Sequence, residues 1–222
     1  FWIAISSAIT IAALGYVFIN FFDQQPANYL PYLACGVVIW NYITTTISES
    51  SIILIENRPA IQNIKTPISA YFFRVNLRNL ITVIVNMTVI ILVLLIFSDL
   101  SQVKLFHTVI ALGILIGNLF WIGSLSAIIS VRFRDVPHMV NSGLQVCFFI
   151  TPVFWIPTNI FERPAFLTYN PFYHLLEVIR QPLLGNFVPS ETLIYTLTML
   201  ILGNLLTVYI FSKTVNKIPY WV

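Results

Sequence analysis

The side chains best suited to binding or chemistry are polar residues that interrupt an apolar run. The stretch "IWNYITTTISESSIILI" places Asn41, Thr45, Ser48 and Glu49 near one face at helical spacing. Polar residues inside a bilayer usually face the interior of a helix bundle or a water path. Hydrogen bonding between helices is the alternative for any single residue. For the stripe as a whole we favour a hydrated path.

His174 and Glu177 stand three residues apart on one predicted helix and could hold a metal ion. A third ligand is not evident, and the sequence contains no phosphate-binding glycine loop, Gly-x-Ser-x-Gly or His-Glu-x-x-His motif. We therefore expect a solvated helix face here. Cys35 and Cys147 lie inside apolar runs and are interpreted as buried free thiols, with neither a disulfide nor a metal role.

The composition excludes a water-soluble domain. Of 222 residues, 58% are hydrophobic and only 9% are charged, whereas soluble domains are roughly a quarter charged. The net charge of +3 does not argue for a nucleic-acid partner. The chain opens at Phe1 in an apolar run without a basic stretch, so we predict no signal peptide and expect the natural N-terminus to lie upstream.

These side chains must be positioned by helices that cross a membrane, each needing about 20 apolar residues. Five runs satisfy or approach this length: Phe1 to Phe22, Tyr29 to Ile55, Phe73 to Phe97, His107 to Val131 and Leu193 to Phe211. A sixth run, Val136 to Ile156, is interrupted by polar residues and by Pro152. The prediction is a single all-α integral membrane domain over residues 1–222 with six transmembrane helices.

Basic residues are enriched in cytoplasmic loops, and their distribution predicts both termini inside. With that orientation eight of the eleven lie inside: Arg58, Lys65, Arg74, Arg78, Arg132, Arg134, Lys213 and Lys217. The inside segments include two loops, residues 56–70 and 131–138. In the first, Pro59 and Pro67 bracket a piece able to form one or two turns, whose Ile61 and Ile64 could face one partner. A solvated loop is the alternative.

The outside segment 151–190 contains half of all twelve prolines. Because interior prolines break helices, we predict short re-entrant helices between spans five and six that dip into the outer leaflet. One is expected to start at Asn170 and Pro171 and to end at Gly185. Its apolar stripe is Phe172, Leu175, Leu176, Ile179 and Leu183. In span four, Gly113 and Gly117 predict close packing against a neighbouring helix, either within the chain or across a dimer.

Several motifs occur together in a characteristic order. They are "ENRPAIQNIKTP", "RFRDV", "TPVFWIP", "NPFYHLLEVIRQPLLG" and the ending "KIPYWV". In this order they resemble the membrane subunits of type-2 ABC exporters, and within that class the permeases that export O-antigen, capsular or teichoic-acid polysaccharide on a lipid carrier. The resemblance covers Gly15 to Val222. The basic amphipathic segment with which such permeases usually begin has no counterpart in this sequence.

The resemblance implies a homodimer in the bacterial inner membrane that works with two separate ATP-binding subunits. ATP and Mg²⁺ would be bound by those partners, and this chain would be a permease, not an enzyme, with no cofactor of its own. Expected partners also include membrane lipid and a lipid-linked polysaccharide, but no nucleic acid. The substrate would pass through a tunnel lined by polar and aromatic side chains.

The implied sites fall into three sets. The ATPase-subunit interface would comprise Asn57, Arg58, Pro59, Ile61, Ile64, Lys65, Arg132, Arg134 and Asp135. The channel lining would comprise Tyr16, Trp40, Asn41, Thr45, Ser48, Phe148, Phe149 and Trp155. The outer gate would involve Pro152, Pro157 and Pro171. Asp135 is further expected to pair with Arg132 or Arg134 and so to fix the turn that faces the ATPase.

Three alternatives remain. A type-2 exporter of drugs or simple lipids would have a narrow, dry cavity without aromatic side chains. An intramembrane enzyme would need convergent His, Asp or Ser residues at one depth, and the histidines here are scattered. A secondary transporter would show an internal repeat, which this sequence lacks.

Overall fold

The computed structural model describes residues 2–22, 25–63, 67–98, 100–157 and 165–221. These residues form α-helices and one 3₁₀ turn, and none of them lies in a β-strand, so the all-α prediction is confirmed. The α-helices are α1 (Trp2–Phe22), α2 (Pro26–Glu56), α3 (Arg58–Asn63), α4 (Ser69–Phe97), α5 (Leu105–Arg132), α6 (Val136–Ile150), α7 (Ala165–Thr168), α8 (Pro171–Leu183), α9 (Ser190–Thr214) and α10 (Ile218–Trp221). The 3₁₀ turn is Leu100–Gln102.

Five of these helices, α1, α2, α4, α5 and α9, are long and apolar enough to cross a membrane. The chain is therefore a membrane-embedded helical protein. The predicted fifth span is represented by α6, which has 15 residues and ends at Ile150. Irregular backbone follows it over residues 151–157, here called the break segment. Six spans and re-entrant helices stay a prediction.

Helix α2 is the centre of the bundle. It packs against α1, α4, α5, α6 and α8, and 72% of its most apolar window is buried inside the protein, against 17% to 33% for the other four candidate spans. It is also the least apolar of the five. The two properties agree, because a helix that is surrounded by protein does not need a lipid-facing apolar surface.

Small residues bring α5 and α9 close together. A side-chain carbon added to Gly117 would come within 2.5 Å of Leu200 Cδ1, and one added to Gly203 would collide with the Trp121 ring. Close packing is thus confirmed for Gly117. Around Gly113 there is open space, so this residue makes no close helix contact within the described part of the chain, and its packing across a dimer stays a prediction.

Helix α8 (Pro171–Leu183) starts at the predicted position and ends shortly before the predicted end at Gly185. The Asn170 side chain accepts hydrogen bonds from the backbone N–H groups of Phe172 and Tyr173. After the helix, Gly185 has φ +84°, a left-handed conformation that glycine adopts without steric cost. The predicted stripe is largely confirmed, because Leu175, Leu176, Ile179 and Leu183 are buried while Phe172 is half-buried.

Candidate functional site

A groove between α2 and α6 is the principal candidate site. Its volume is about 410 Å³. Its lining residues are Trp40, Asn41, Thr44, Ser48, Asn141, Leu144, Gln145, Phe148 and Phe149. Ser48 Oγ donates a hydrogen bond to Asn141 Oδ1 at 2.5 Å, which joins the two walls. None of these residues is charged at neutral pH, so the groove offers amide, hydroxyl and aromatic surface.

The aromatic side of the groove continues towards α1. The ring centroids of Trp40 and Phe148 are 5.9 Å apart, and Phe148 lies 5.3 Å from both Phe149 and Phe154. Phe18 of α1 lies 5.1 Å from Phe154. These spacings are typical of edge-to-face and offset aromatic pairs. The rings form one connected surface from α1 across the break segment to α2 and α6.

The structure brings most of the residues predicted to line a channel to this region. The lining of the groove includes Trp40, Asn41, Ser48, Phe148 and Phe149. Asn41 also borders a second cavity, between α1, α2 and α4, where Thr45 lies.

Besides Thr45, two predicted lining residues, Trp155 and Tyr16, are not among the residues that line the groove. Trp155 belongs to the break segment, where it is half-buried, and its Nε1 donates to the carbonyl of Phe149 at 3.3 Å. Tyr16 lies on α1 and its side chain is 75% exposed. The aromatic content that suggested Tyr16 did not indicate which face of α1 is turned towards the groove.

In the break segment, each backbone carbonyl of residues 152–155 accepts a hydrogen bond from a side chain. Tyr32 Oη donates to the carbonyl oxygens of Pro152 at 3.0 Å and of Trp155 at 3.2 Å. Tyr29 Oη donates to that of Phe154 at 2.5 Å. Irregular backbone at membrane depth is tolerated only where its polar groups find such partners. Tyrosines of α2 thus stabilise the broken backbone.

Arg180 of α8 completes this arrangement and is fully buried. Its Nη1 donates to Glu177 Oε1 at 2.8 Å and to the Pro152 carbonyl at 2.9 Å, and its Nη2 donates to the Val153 carbonyl at 3.3 Å. The guanidinium carbon lies 3.9 Å from the centre of the Tyr32 ring, within the range of a cation–π contact. Sequence reasoning had assigned Arg180 only to an outside segment.

The predicted solvated face with His174 and Glu177 is wrong, since both side chains are buried. Glu177 pairs with Arg180 and also accepts from Gln181 Nε2 at 2.5 Å. His174 stacks on Tyr195 with centroids 4.2 Å apart. Helix α8 packs against α2, α5 and α9, which buries this face, and Glu177 is buried together with its cation Arg180. Among the described residues no cluster of three His, Cys, Asp or Glu could hold a metal.

Pro152 is buried, Pro157 is half-buried and Pro171 occupies the first turn of α8. The free cysteines are placed as expected in part: Cys35 is buried, whereas Cys147 is half-buried.

Near α3, the residues predicted to contact an ATPase divide into two groups. Arg58 and Pro59 are exposed and Asn57 is half-buried. Ile61 is buried in a cluster with Ile218 of α10, so the expectation that it faces a partner is wrong. The side chain packs within its own bundle because α3 contacts α2 and α10. Ile64 and Lys65 lie outside the described residues.

The turn after α5 carries the other part of the predicted interface. Arg132, Arg134 and Asp135 are exposed. The expected ion pair of Asp135 with either arginine is absent from the part of the chain that the structure describes. Instead, the Arg132 guanidinium lies 5.4 Å from the Trp221 ring centre, and Arg134 Nη2 donates to the Trp221 carbonyl at 3.3 Å. Trp221, the last residue of α10, thus supplies an aromatic face to Arg132 and an acceptor to Arg134.

A scan against models of known protein families gives no match, and a search of curated proteins finds no similar sequence.

Proposed function

We propose that this chain is the membrane subunit of an ATP-driven exporter that moves lipid-linked polysaccharide of O-antigen type across the bacterial inner membrane. The observation that carries the proposal is the groove between α2, a candidate membrane span, and α6, where amide and aromatic side chains are exposed. Exposed Asn141 and Gln145 would be costly against lipid and favourable against water or a hydroxyl-rich chain.

The proposed assembly is a homodimer with two ATP-binding subunits. A second copy that covers the groove would convert it into an enclosed passage with neutral polar and aromatic walls. Aromatic faces allow sugar rings to slide with little geometric demand, and the absence of charge in the described lining suits an uncharged polymer. Both termini are proposed to be cytoplasmic, with α6 as a sixth, short span and the segment containing α7 and α8 as outer re-entrant helices.

The ATP-binding subunit is proposed to dock at the end of the bundle that carries α3, on the surface of Arg58, Pro59 and Arg134. Ile64 and Lys65 are proposed to contribute to the same contact. The exposed basic side chains there suit an acidic docking groove. A type-2 exporter of drugs or simple lipids is the alternative, and a purely apolar passage would favour it.

The proposal is tested by asking whether an ATPase subunit copurifies with the tagged chain from its native host. Arg58→Glu should reduce copurification, because it reverses an exposed charge at the docking surface. Lys104→Glu, at the opposite end of the bundle, is the matched control and should leave copurification unchanged. Export of cell-surface polysaccharide in the same strains gives the second readout. Isolation of the chain without any ATPase would refute the exporter proposal.

A further inference from the structure

A second cavity, here called the α1–α4 cavity, lies between α1, α2 and α4. Its volume is about 420 Å³, within the range of roughly 300 to 1,000 Å³ that ligand pockets occupy. Its walls come from Trp2, Ile3, Ser6, Ser7, Val38, Asn41, Tyr42, Thr45, Asn79, Thr82, Val83 and Asn86. Only Asn41 is shared with the groove. The cavity is thus a distinct site that adjoins the groove at Asn41.

The polar groups of this cavity are numerous and uncharged. They belong to Ser6, Ser7, Asn41, Tyr42, Thr45, Asn79, Thr82 and Asn86. A metal ion or a phosphate would meet no formal counter-charge among these described residues and would lose its hydration without compensation. A purely apolar occupant would leave the buried Tyr42 hydroxyl without a partner. A neutral ligand with many hydrogen-bonding groups suits the cavity best.

Two amides are held in place before any ligand arrives. Ser7 Oγ donates to Asn86 Oδ1 at 3.2 Å. Asn79 Nδ2 donates to Glu49 Oε2 at 2.6 Å, and Glu49 in turn pairs with Arg78, so its charge is compensated next to the cavity. Such anchoring lowers the entropy that a side chain loses when it binds a ligand.

Tyr42 supplies the independent observation that points to a ligand. Its side chain is 4% exposed, and its hydroxyl has no hydrogen-bond partner among the described residues. A buried hydroxyl without a partner is unfavourable, because it has lost its hydrogen bonds to water. A small movement of the cavity wall that brings a ligand hydroxyl to Tyr42 Oη would recover this cost.

We propose that the α1–α4 cavity binds an uncharged, hydroxyl-rich ligand, namely a sugar unit. The neutral, hydrogen-bonding character of the ligand follows from the cavity, whereas its assignment as part of the transported molecule rests on the proposed function. The cavity opens beside the exposed side chains of Trp2 and Ile3 on α1, on a candidate membrane span. A sugar attached to a lipid could therefore reach it from the bilayer, and a free oligosaccharide could reach it from water.

The test uses the full chain in phosphatidylcholine nanodiscs and two probes, maltotriose and dodecyl maltoside, with binding measured by microscale thermophoresis. Tyr42→Phe removes the hydroxyl and should weaken binding of both probes roughly fivefold, the value of one hydrogen bond of about 1 kcal/mol. Thr82→Phe fills the cavity without altering the groove and should abolish saturable binding. Tyr209→Phe, the same chemical change on an exposed α9 position, is the control and should bind normally.

Each outcome has a defined meaning. Binding of dodecyl maltoside alone, lost in Thr82→Phe, supports a site for lipid-attached sugar, and binding of both probes supports a site for either form. Undiminished binding in Thr82→Phe, or no saturable binding of either probe, overturns the site. Copurification of an ATPase is scored separately. An ATPase partner without sugar binding leaves the exporter proposal intact, and sugar binding without an ATPase partner refutes the exporter but retains the site.

Discussion

Arg180 of α8 stacks on the ring of Tyr32 of α2, with its guanidinium carbon 3.9 Å from the ring centre. Both residues also donate hydrogen bonds to the carbonyl oxygen of Pro152. One irregular carbonyl thus connects α2, the break segment and α8. This relationship explains how a helix that stops at Ile150 can be followed by broken backbone inside a membrane protein.

Loss of the buried Arg180–Glu177 pair should lower the free energy of unfolding far more than loss of the exposed Arg78–Glu49 pair. Arg180→Gln leaves Glu177 buried without its cation, so we expect a loss of about 3 to 5 kcal/mol in unfolding free energy. Arg78→Gln removes a pair whose side chains are 58% and 32% exposed, and should cost about 0 to 1 kcal/mol. Unfolding in mixed micelles with increasing SDS measures both. Equal losses would contradict the assigned role of Arg180.

Gly36 should not tolerate a side chain. A carbon added there would collide with the carbonyl oxygen of Val153 and come within 2.6 Å of Arg180 Nη2, so Gly36→Ala is expected to lower stability by about 1 to 3 kcal/mol. Gly113→Ala is the matched control, because a carbon there meets nothing within 4 Å. That change should be neutral or stabilising, since alanine favours helix more than glycine by up to about 1 kcal/mol. Thermal unfolding in detergent separates the two variants.

The hydroxyl of Tyr32 should matter independently of its ring. Tyr32→Phe keeps the stacking surface for Arg180 but removes the donor to Pro152 and Trp155, and should cost about 1 to 3 kcal/mol. Tyr16→Phe makes the same change on a side chain that is 75% exposed and should have no measurable effect. The comparison is made by SDS-induced unfolding. Indistinguishable midpoints for the two variants would show that the break segment does not need this donor.

Close contact between α5 and α9 can be measured as a coupling energy. A carbon added at Gly203 would collide with the ring of Trp121, so Gly203→Ala should cost about 1 to 3 kcal/mol in the native background. In a Trp121→Ala background the same substitution should cost much less, giving a coupling of at least about 0.5 kcal/mol. Unfolding midpoints of the four proteins complete the cycle. Strict additivity would mean that the two helices separate to accommodate the new methyl group.

The sequence determined the membrane-embedded all-α class, because long apolar runs with few charges have only one stable arrangement in lipid, namely helices that satisfy their own backbone. It also predicted the helical spacing of the polar residues of α2, since spacing is a local property. It did not give their partners, because Ser48 bonds Asn141 of α6 and Glu49 bonds Asn79 of α4. The cap at Asn170 and the end at Gly185 were predictable for the same reason.

Tertiary structure alone decided which faces are turned inwards. The i, i+3 spacing of His174, Glu177 and Arg180 could not reveal that their face is buried, because burial depends on α2, the break segment and α9, which come from other parts of the chain. Likewise, Arg132 and Arg134 contact Trp221 and not Asp135. Ile61 is buried in one cluster with Ile218. Each of these outcomes is a competition between partners that only the folded chain brings together.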